Sequence, residues 1–243
     1  MRTGIDLGSR SVKVVKLDGT TIVDKQIFDS FQFYTQFFSA ARGLAQSAML
    51  EGEVTVTGYG KFSEMITGVK KISEIEAHAR GACFQTGLND FTLLDIGGQD
   101  TKVVKVQGGA VHNFTMNDKC AAGSGRFLEN MCRILDTNLT ELAKYSGEGP
   151  ILNSTCAIYA ESELISKIIE GYPFPELCAG VNRTLLLRVL PMVKRHLTDV
   201  IVFVGGVAQS AALKSMLERE LDIKVIVPPE AQFNGAVGCG VGY

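Results

Sequence analysis

Two short loops of the sequence carry an aspartate and glycines in the same order. The first is Asp6-Leu7-Gly8-Ser9-Arg10-Ser11 and the second is Asp95-Ile96-Gly97-Gly98-Gln99-Asp100. Glycine lets a backbone bend tightly and bring its N–H groups against phosphate oxygens, and an aspartate at a strand end can hold the water shell of Mg²⁺. Either loop alone is also typical of a plain hairpin turn. Two loops that each carry an aspartate at the same position favour phosphate binding over a plain turn.

The side chains around these loops could supply the rest of an ATP-hydrolysing site. We expect Asp6 and Asp95 to hold hydrated Mg²⁺. Gln99 and Asp100 lie where a hydrolytic water would be polarised near a γ-phosphate, although they could instead only cap a turn. The residues expected to contact the nucleotide are Gly8, Ser9, Arg10, Ser11, Lys13, Gly97, Gly98, Gly123, Gly125, Gly205, Gly206 and Gln209.

A third segment, Val202–Gln209, joins an apolar strand to paired glycines and a helix start, where a flat adenosine could lie against the backbone. The three segments together resemble the phosphate-1, phosphate-2 and adenosine motifs of the superfamily of acetate and sugar kinases, heat-shock chaperones and actin. The sequence has no Gly-x-x-x-x-Gly-Lys-Ser/Thr, so a P-loop is excluded. It also has no Gly-x-Gly-x-x-Gly after a strand, so a dinucleotide fold is poorly supported.

The surroundings of the two loops suggest an internal duplication. Asp6 and Asp95 lie 89 residues apart, and each follows an apolar strand and precedes a Val-rich strand that contains lysine. A duplicated chain would have two similar domains facing a cleft, whereas the alternative is a chance likeness of two strand–turn–strand units. Alternation and turn signals predict the following strands: a hairpin over Gly4–Leu17, then Thr20–Ile27, Val54–Thr57 and Val200–Val204.

Helical spacing of apolar residues predicts the elements between these strands. Ser73 with Glu76 three residues later forms a capping-box pattern at the start of one helix. The predicted helices are Tyr34–Ala48, Ser73–Phe84, Gly125–Leu135, Ala157–Ile169, Asn182–His196 and Ala208–Arg219.

The composition is that of a globular protein with a substantial core. Of 243 residues, 46% are hydrophobic, and the formal net charge of −2 gives no positive field that would attract nucleic acid or an anionic membrane. No apolar run approaches the roughly 20 residues of a membrane span, and no signal-peptide pattern is visible. We therefore expect a soluble, cytoplasmic protein without nucleic-acid or membrane partners.

Six cysteines in a cytoplasmic protein suggest metal binding, redox chemistry or packing rather than disulfides. Cys120 and Cys156 each precede a predicted helix, whose N-terminus favours a thiolate and an anionic cluster. A [4Fe–4S] cluster needs four ligands, so two chains related by a two-fold axis could supply them. Buried packing is the alternative for both thiols. The other four, which we interpret as mainly core residues, are Cys83, Cys132, Cys178 and Cys239.

Longer runs around the two thiols carry a more specific resemblance. Two segments resemble those of the activator ATPases of 2-hydroxyacyl-CoA dehydratases. They are Asn117–Phe127, and Ser154–Cys156 with the Ala160–Glu163 run that follows it. The same family includes the ATPase subunits of benzoyl-CoA reductases. The second phosphate loop, Gly205–Gln209 and Gln232–Ala236 also fit, so the resemblance extends over nearly the whole chain. Arg10 in the first loop and the aromatic stretch Phe31–Phe38 depart from the pattern.

The resemblance implies a fold, a reaction and partners. The fold would be α/β, a duplicated actin-like (ribonuclease H-like) ATPase with two domains around a nucleotide cleft. The first domain would span residues 1–89, completed by 228–243, and the second residues 90–227. Cys120 and Cys156 would ligate one [4Fe–4S] cluster that bridges a homodimer.

ATP hydrolysis with Mg²⁺ would then drive a low-potential electron to a partner iron–sulfur dehydratase or reductase. The electron donor would be a ferredoxin or flavodoxin, and closure of the cleft by ATP would change the cluster's environment. Two other functions remain open from the residues alone. A small-molecule kinase of the same superfamily or a non-catalytic nucleotide-binding scaffold would give no role to Cys120 and Cys156.

Other chemistry-bearing residues are less informative. His78, His112 and His196 are scattered, so we interpret them as structural. Glu161 and Glu163 could orient the nucleotide or simply favour the first turns of their helix through its dipole.

Overall fold

The structure is a computed structural model that describes residues 1–39, 43–44, 52–62, 68–117, 120–152 and 156–242. The chain divides into two compact units. The first comprises Met1–Asn89, Val106–Val111 and Gln232–Tyr243, and the second comprises Asp90–Lys105 and His112–Ala231. The first unit therefore includes the tip of a hairpin and the C-terminal segment.

The elements up to residue 89 are short strands with two helices. In chain order they are β1 (Arg2–Leu7), β2 (Ser11–Asp18), β3 (Thr21–Asp29), α1 (Ser30–Phe37), β4 (Phe38–Ser39), β5 (Gly43–Leu44), β6 (Glu53–Thr57), β7 (Lys70–Lys71) and α2 (Glu74–Thr86).

The remaining elements repeat the strands and add more helices. They are β8 (Phe91–Ile96), β9 (Thr101–Gln107), β10 (Ala110–Asn117), α3 (Gly125–Ile134), α4 (Leu139–Leu142), α5 (Ala157–Ile169), α6 (Phe174–Arg195), β11 (Val200–Val204), α7 (Ala211–Leu221), β12 (Lys224–Ile226) and α8 (Asn234–Gly240).

The two large sheets have the same strand order. The first is β3-β2-β1-β6-β7 and the second is β10-β9-β8-β11-β12. In the first, β2 is antiparallel to β1 and β3, whereas β6 is parallel to β1 and β7. In the second, β11 is parallel to both β8 and β12. The expectation of a duplicated α/β fold is confirmed, and Asp6 and Asp95 are the penultimate residues of the corresponding strands β1 and β8.

Local signals explain where several elements begin and end. The Ser73 side chain caps α2 by accepting a 3.1 Å hydrogen bond from the Glu76 N–H, as the capping pattern predicts. Gly87, with φ of 71°, ends the same helix in the left-handed conformation that suits glycine. Helix α5 begins and ends at the predicted residues, and α6 begins eight residues earlier than predicted, at Phe174 behind Pro173.

The prediction of a helix over Tyr34–Ala48 is confirmed for Tyr34–Phe37 and wrong for residues 38–39 and 43–44, whereas residues 40–42 lie outside the described residues. Helix α1 covers Ser30–Phe37, and Phe38–Ser39 then pairs with Gly43–Leu44 as two short antiparallel strands. Phe33 and Phe37 pack against Phe28 of β3 with ring centroids 5.4 and 5.8 Å from it. These two phenylalanines lie four residues apart in the helical part, and the strand pairing that follows Phe37 ends the helix. Residues 45–48 lie outside the described residues.

The second unit holds the largest core cluster. Strands β8 and β11 contribute Leu94 and Phe203, α3 contributes Phe127, and α6 contributes a row of leucines and valines, all buried. This core fixes the end of β8 and the start of α3, where candidate site residues lie. Within the described residues, none of the helices is both long enough and apolar enough to cross a membrane.

Candidate functional site

The first candidate loop begins at a buried carboxylate. Asp6 is the penultimate residue of β1, is 5% exposed, and lies opposite Lys13 in the antiparallel register of β1 and β2. The Lys13 Nζ lies 3.5 Å from Asp6 Oδ2. Asp6 Oδ1 is buried and has no hydrogen-bond partner among the residues that the structure describes. A buried oxygen of this kind is costly unless a ligand satisfies it.

The second loop has the same pairing with one more carboxylate. Asp95 and Lys102 are each 2% exposed, and the Lys102 Nζ lies 3.5 Å from Asp95 Oδ2 and 2.8 Å from Asp100 Oδ2. In each unit the lysine is seven residues after the strand-end aspartate. Lys102 therefore joins two of the predicted catalytic carboxylates in one buried ion-pair group.

A glycine in the left-handed region faces each aspartate. Gly58 follows β6 with φ of 86°, and Gly205 follows β11 with φ of 88°. A Cβ on Gly58 would lie 2.8 Å from Asp6 Oδ1, and one on Gly205 would lie 2.5 Å from Asp95 Oδ1. Neither the backbone conformation nor the space admits a side chain at these two positions. Gly58 is thus the counterpart of the predicted Gly205.

The first loop is held in place by α1. The Ser30 hydroxyl donates to the Gly8 carbonyl at 2.8 Å, and the Tyr34 hydroxyl donates to the Leu7 carbonyl at 3.4 Å. Burial, and after it the charge of Asp6, raises the pKa of Tyr34 to about 12. Arg10 forms an exposed ion pair with Asp29 at 3.1 Å, which occupies part of its predicted phosphate-binding capacity.

The second loop is joined by hydrogen bonds to the turn that follows Cys120. The N–H groups of Gly125 and Arg126 donate to the carbonyls of Gly97 and Gly98, each at 2.9 Å. The Ser124 hydroxyl also donates to the Gly98 carbonyl, at 3.1 Å. Gly125 is close enough to Gly97 that a Cβ on it would lie 3.1 Å from the Gly97 oxygen. The predicted nucleotide residues 97–98 and 125 are therefore in direct contact.

Thr101 adds a further link to this turn. Its hydroxyl donates to the Gly123 carbonyl at 2.5 Å, and Gly97 N–H donates to the Asp100 carbonyl at 2.9 Å. Because the first N–H groups of α3 are used by loop carbonyls, they are not available to an anion at Cys120. Of the other predicted nucleotide residues, several have accessible surface, namely Ser9, Ser11, Gln99, Gly206 and Gln209.

The six cysteines are all free thiols, and they differ sharply in exposure. Cys120 and Cys156 are exposed, Cys83 is half-buried, and Cys132, Cys178 and Cys239 are buried. Burial raises the pKa of Cys132 to about 11 and of Cys178 to about 12, as expected of core thiols. The two predicted ligands are thus the two cysteines classed as exposed.

Cys120 and Cys156 occupy similar backbone positions. Cys120 precedes the 3₁₀ turn Ala121–Gly123 that leads into α3, and Cys156 precedes α5. Both have extended backbone, and neither side chain caps its helix by a hydrogen bond. The prediction that each thiol stands at a helix start is confirmed for Cys156, whereas a 3₁₀ turn separates Cys120 from its helix.

Arg188 of α6 contacts the turn that follows Cys120. Its Nη1 donates to the Ala122 carbonyl at 2.9 Å, and its guanidinium lies over the Phe127 ring at 4.4 Å. Burial lowers the pKa of Arg188, while Cys120, Glu163 and Cys156 act electrostatically in the opposite direction. One guanidinium therefore interacts with the starts of both cysteine-bearing segments.

The remaining candidate residues have structural surroundings. The His78 carbonyl accepts from the Asn234 side chain at 2.8 Å, and the His196 Nε2 lies 2.7 Å from the Thr115 hydroxyl. Burial, followed by the charges of Arg195 and Lys105, lowers the pKa of His196. Glu161 lies 3.7 Å from Arg133, and Glu163 interacts with Arg188, so each glutamate has a nearby cation.

Four site residues have no counterpart in the sequence-based prediction. They are Ser30, Gly58, Lys102 and Arg188. The seven-residue spacing shared by Asp6–Lys13 and Asp95–Lys102 could have identified Lys102, and the duplication could have identified Gly58. No local signal identifies Arg188, because its partners are distant in the chain. Ala122 lies about 65 residues before it, and Glu163 lies 25 residues before it.

Comparison with known proteins identifies the family. Residues 3–240 match the BadF/BadG/BcrA/BcrD ATPase family. The chain belongs to this ATPase family. The duplicated fold, the paired loops and the family resemblance stated from the sequence are all in accord with this membership.

Individual relatives cover nearly the whole chain. The (R)-2-hydroxyglutaryl-CoA dehydratase activating ATPase of Acidaminococcus fermentans is 37% identical over 98% of this chain and 95% of its own length. A subunit of the benzoyl-CoA reductase of Thauera aromatica is 27% identical over 98% of this chain and 91% of its own length. The solved activator of the 2-hydroxyisocaproyl-CoA dehydratase from Clostridium difficile, with bound ADPNP, is 36% identical with a TM-score of 0.83, over 98% and 92% of the two chains.

Proposed function

We propose that this chain is an ATP-hydrolysing iron–sulfur activator that delivers a low-potential electron to a partner iron–sulfur enzyme. The partner is a 2-hydroxyacyl-CoA dehydratase or a related acyl-CoA reductase. The named relatives support this class of partner, since they are a dehydratase-activating ATPase and part of a reductase. We further propose that the functional domains span residues 1–89 with 228–243, and residues 90–227.

The nucleotide and its metal fit the aspartate loops. The buried Asp6 Oδ1 lacks a partner among the described residues, which suits the water shell of Mg²⁺, and Asp95 holds the equivalent place in the second unit. Lys13 and Lys102 lie 3.5 Å from the carboxylates of Asp6 and Asp95 and supply a positive charge beside each. In this proposal Gln99 and Asp100 orient the hydrolytic water, while backbone N–H groups and Ser9, Arg10 and Ser11 contact phosphate.

An iron–sulfur cluster fits the two exposed thiols. Cys120 and Cys156 are accessible and are not engaged in helix capping, and a nearby guanidinium suits thiolate ligands. When bound, the cluster supplies one-electron chemistry at low potential. Since one chain offers two such thiols, we propose a homodimer that shares a single [4Fe–4S] cluster, reduced by a ferredoxin or flavodoxin.

One observation carries the proposal. The second phosphate loop and the Cys120 turn are joined by the hydrogen bonds from Ser124, Gly125 and Arg126 to the carbonyls of residues 97 and 98. A change of the loop on nucleotide binding must therefore move the segment that carries Cys120. A kinase or a passive scaffold has no use for this connection to an exposed thiol.

An anaerobic electron-transfer assay tests the function. The protein is reduced with titanium(III), separated from excess reductant, and mixed with a purified 2-hydroxyacyl-CoA dehydratase with MgATP, with Mg-ADPNP, or without nucleotide. We expect the visible absorbance of the oxidised protein to return, and product to form, only with MgATP. Equal electron delivery without nucleotide, or phosphorylation of a small molecule in place of electron delivery, would contradict the proposal.

A further inference from the structure

Arg188 is a half-buried cation for which the phosphate loops provide no role. It lies in the middle of α6, the 22-residue helix of the second unit. Its guanidinium is fixed on one side by the hydrogen bond to the Ala122 carbonyl and on another by the Phe127 ring. Arginine remains charged in proteins, so a positive charge is held at this place.

The fixed position of this charge is beside the turn that follows Cys120. Ala122 is two residues from Cys120, and Phe127 lies in the first turn of the helix that follows the same 3₁₀ turn. The electrostatic interaction with Glu163 connects the guanidinium to the second turn of α5, the helix that follows Cys156. Arg188 thus reaches the Cys120 segment by direct contacts and the Cys156 segment through charge.

We propose that Arg188 is the positioning residue of the two-thiol site, where it holds the Cys120 turn in place and sets the reduction potential of the cluster through its charge. The inference rests on the proposed function, because it assigns a role toward the proposed cluster. One-electron reduction adds one negative charge to a thiolate-ligated cluster. A fixed cation nearby stabilises the reduced form more than the oxidised form, and removing it makes the potential more negative.

The carboxylate of Glu163 weakens the effect of the Arg188 charge on the reduction potential. It partly balances the guanidinium, so the field at the thiols is smaller than that of an isolated cation. An arginine with a carboxylate partner can also be buried at lower cost than an unpaired one. The arrangement allows a positive charge at the site without an uncompensated buried ion.

The test is a potentiometric titration followed by visible absorbance. Wild type, Arg188→Gln, Arg188→Lys and Arg195→Gln are loaded with iron and sulfide anaerobically and titrated with titanium(III), which gives one electron to each cluster and becomes titanium(IV). Arg195 is an exposed arginine two turns further along the same helix, so Arg195→Gln controls for the loss of one positive charge.

We expect Arg188→Gln to lower the equilibrium constant for reduction about tenfold, which is about 59 mV for one electron. Arg188→Lys and Arg195→Gln should remain within about threefold of wild type, since the first keeps the charge and the second removes it at a distance. A wild-type potential in Arg188→Gln, or an equal shift in Arg195→Gln, would overturn the inference.

If Arg188→Gln takes up no cluster, its potential cannot be measured. The Arg188→Lys variant then decides whether the charge is responsible. If Arg188→Lys then keeps the visible absorbance with a near-wild-type potential, the charge is responsible and the inference stands. If Arg188→Lys also loses the absorbance while its thermal unfolding midpoint matches wild type, the charge is not sufficient and the inference fails. Wild-type protein that takes up no cluster would instead refute the proposed function.

Discussion

The aspartates of the two loops are unusual among the carboxylates of this chain because each is almost fully buried beside a lysine. A buried carboxylate is costly unless it is paired or holds a ligand. Lys13 lies 3.5 Å from Asp6, and Lys102 lies 3.5 Å from Asp95, so each carboxylate is paired with a cation. This environment makes the aspartates sensitive to a change that preserves their shape and removes their charge.

We expect Asp6→Asn and Asp95→Asn each to lower Mg²⁺-dependent ATP hydrolysis by at least about tenfold, or 1.4 kcal/mol of transition-state stabilisation. Asp18→Asn, at the exposed end of β2, is the matched control and should keep wild-type activity. Phosphate release at saturating MgATP measures the effect. Full activity in both loop variants would refute the metal role of these aspartates.

The cysteines allow a second residue-scale prediction, because exposed and buried thiols should respond differently. Cys120→Ser and Cys156→Ser should each abolish the visible absorbance of anaerobically loaded protein while ATP binding survives. Cys132→Ser should keep the absorbance and lower the free energy of unfolding by about 1–3 kcal/mol, since it places a hydroxyl in the core. Absorbance that survives in Cys120→Ser and disappears in Cys132→Ser would show that the ligand assignment is wrong.

At the scale of elements, the ends of the neighbouring strands β1 and β6 have the same arrangement as the ends of β8 and β11. In each, a strand-end aspartate faces a glycine in the left-handed region that follows the neighbouring parallel strand. The glycine brings the two strand ends close enough for the aspartate oxygen to contact backbone. A methyl group at that position would meet the carboxylate and push it away.

We expect Gly58→Ala to destabilise the protein more than Gly19→Ala does. Both glycines have positive φ, so each substitution introduces the left-handed strain of about 1–2 kcal/mol, but only at Gly58 would the new Cβ meet other atoms. The additional clash should cost about 1–3 kcal/mol more and should lower ATPase activity by displacing Asp6. Urea unfolding of the two variants measures the difference, and equal midpoints would contradict this account.

Local signals in the sequence predict much of this architecture. The Ser73 cap, the hairpin over residues 4–17 and the bounds of α5 follow from spacing and turn residues close together in the chain. The end of α1 at Phe37 could not be predicted, because Phe38–Ser39 pairs as a strand with Gly43–Leu44, which the helical periodicity does not signal. Arg188 could not be predicted either, since its position depends on how α6 packs against segments far away in the sequence.

At the scale of the whole molecule, the number of exposed thiols would set the stoichiometry of the proposed cluster. One chain supplies Cys120 and Cys156 as exposed thiols, and the other four cysteines are buried or half-buried. A four-thiolate cluster then requires two chains. Removing iron with a chelator under anaerobic conditions should shift the protein from dimer to monomer in size-exclusion chromatography. A dimer that is unchanged by complete iron removal would contradict a cluster-dependent assembly.

The central claim is that one chain joins an ATPase to an iron–sulfur cluster shared between two protomers. The most direct test is the iron and sulfide content of anaerobically loaded protein, measured with its visible absorbance and its ATPase activity in the same preparation. The account predicts brown, ATP-hydrolysing protein with about two irons and two sulfides per chain, half of a four-iron cluster. Colourless protein with full ATPase activity, or a monomer with about four irons per chain, would contradict it.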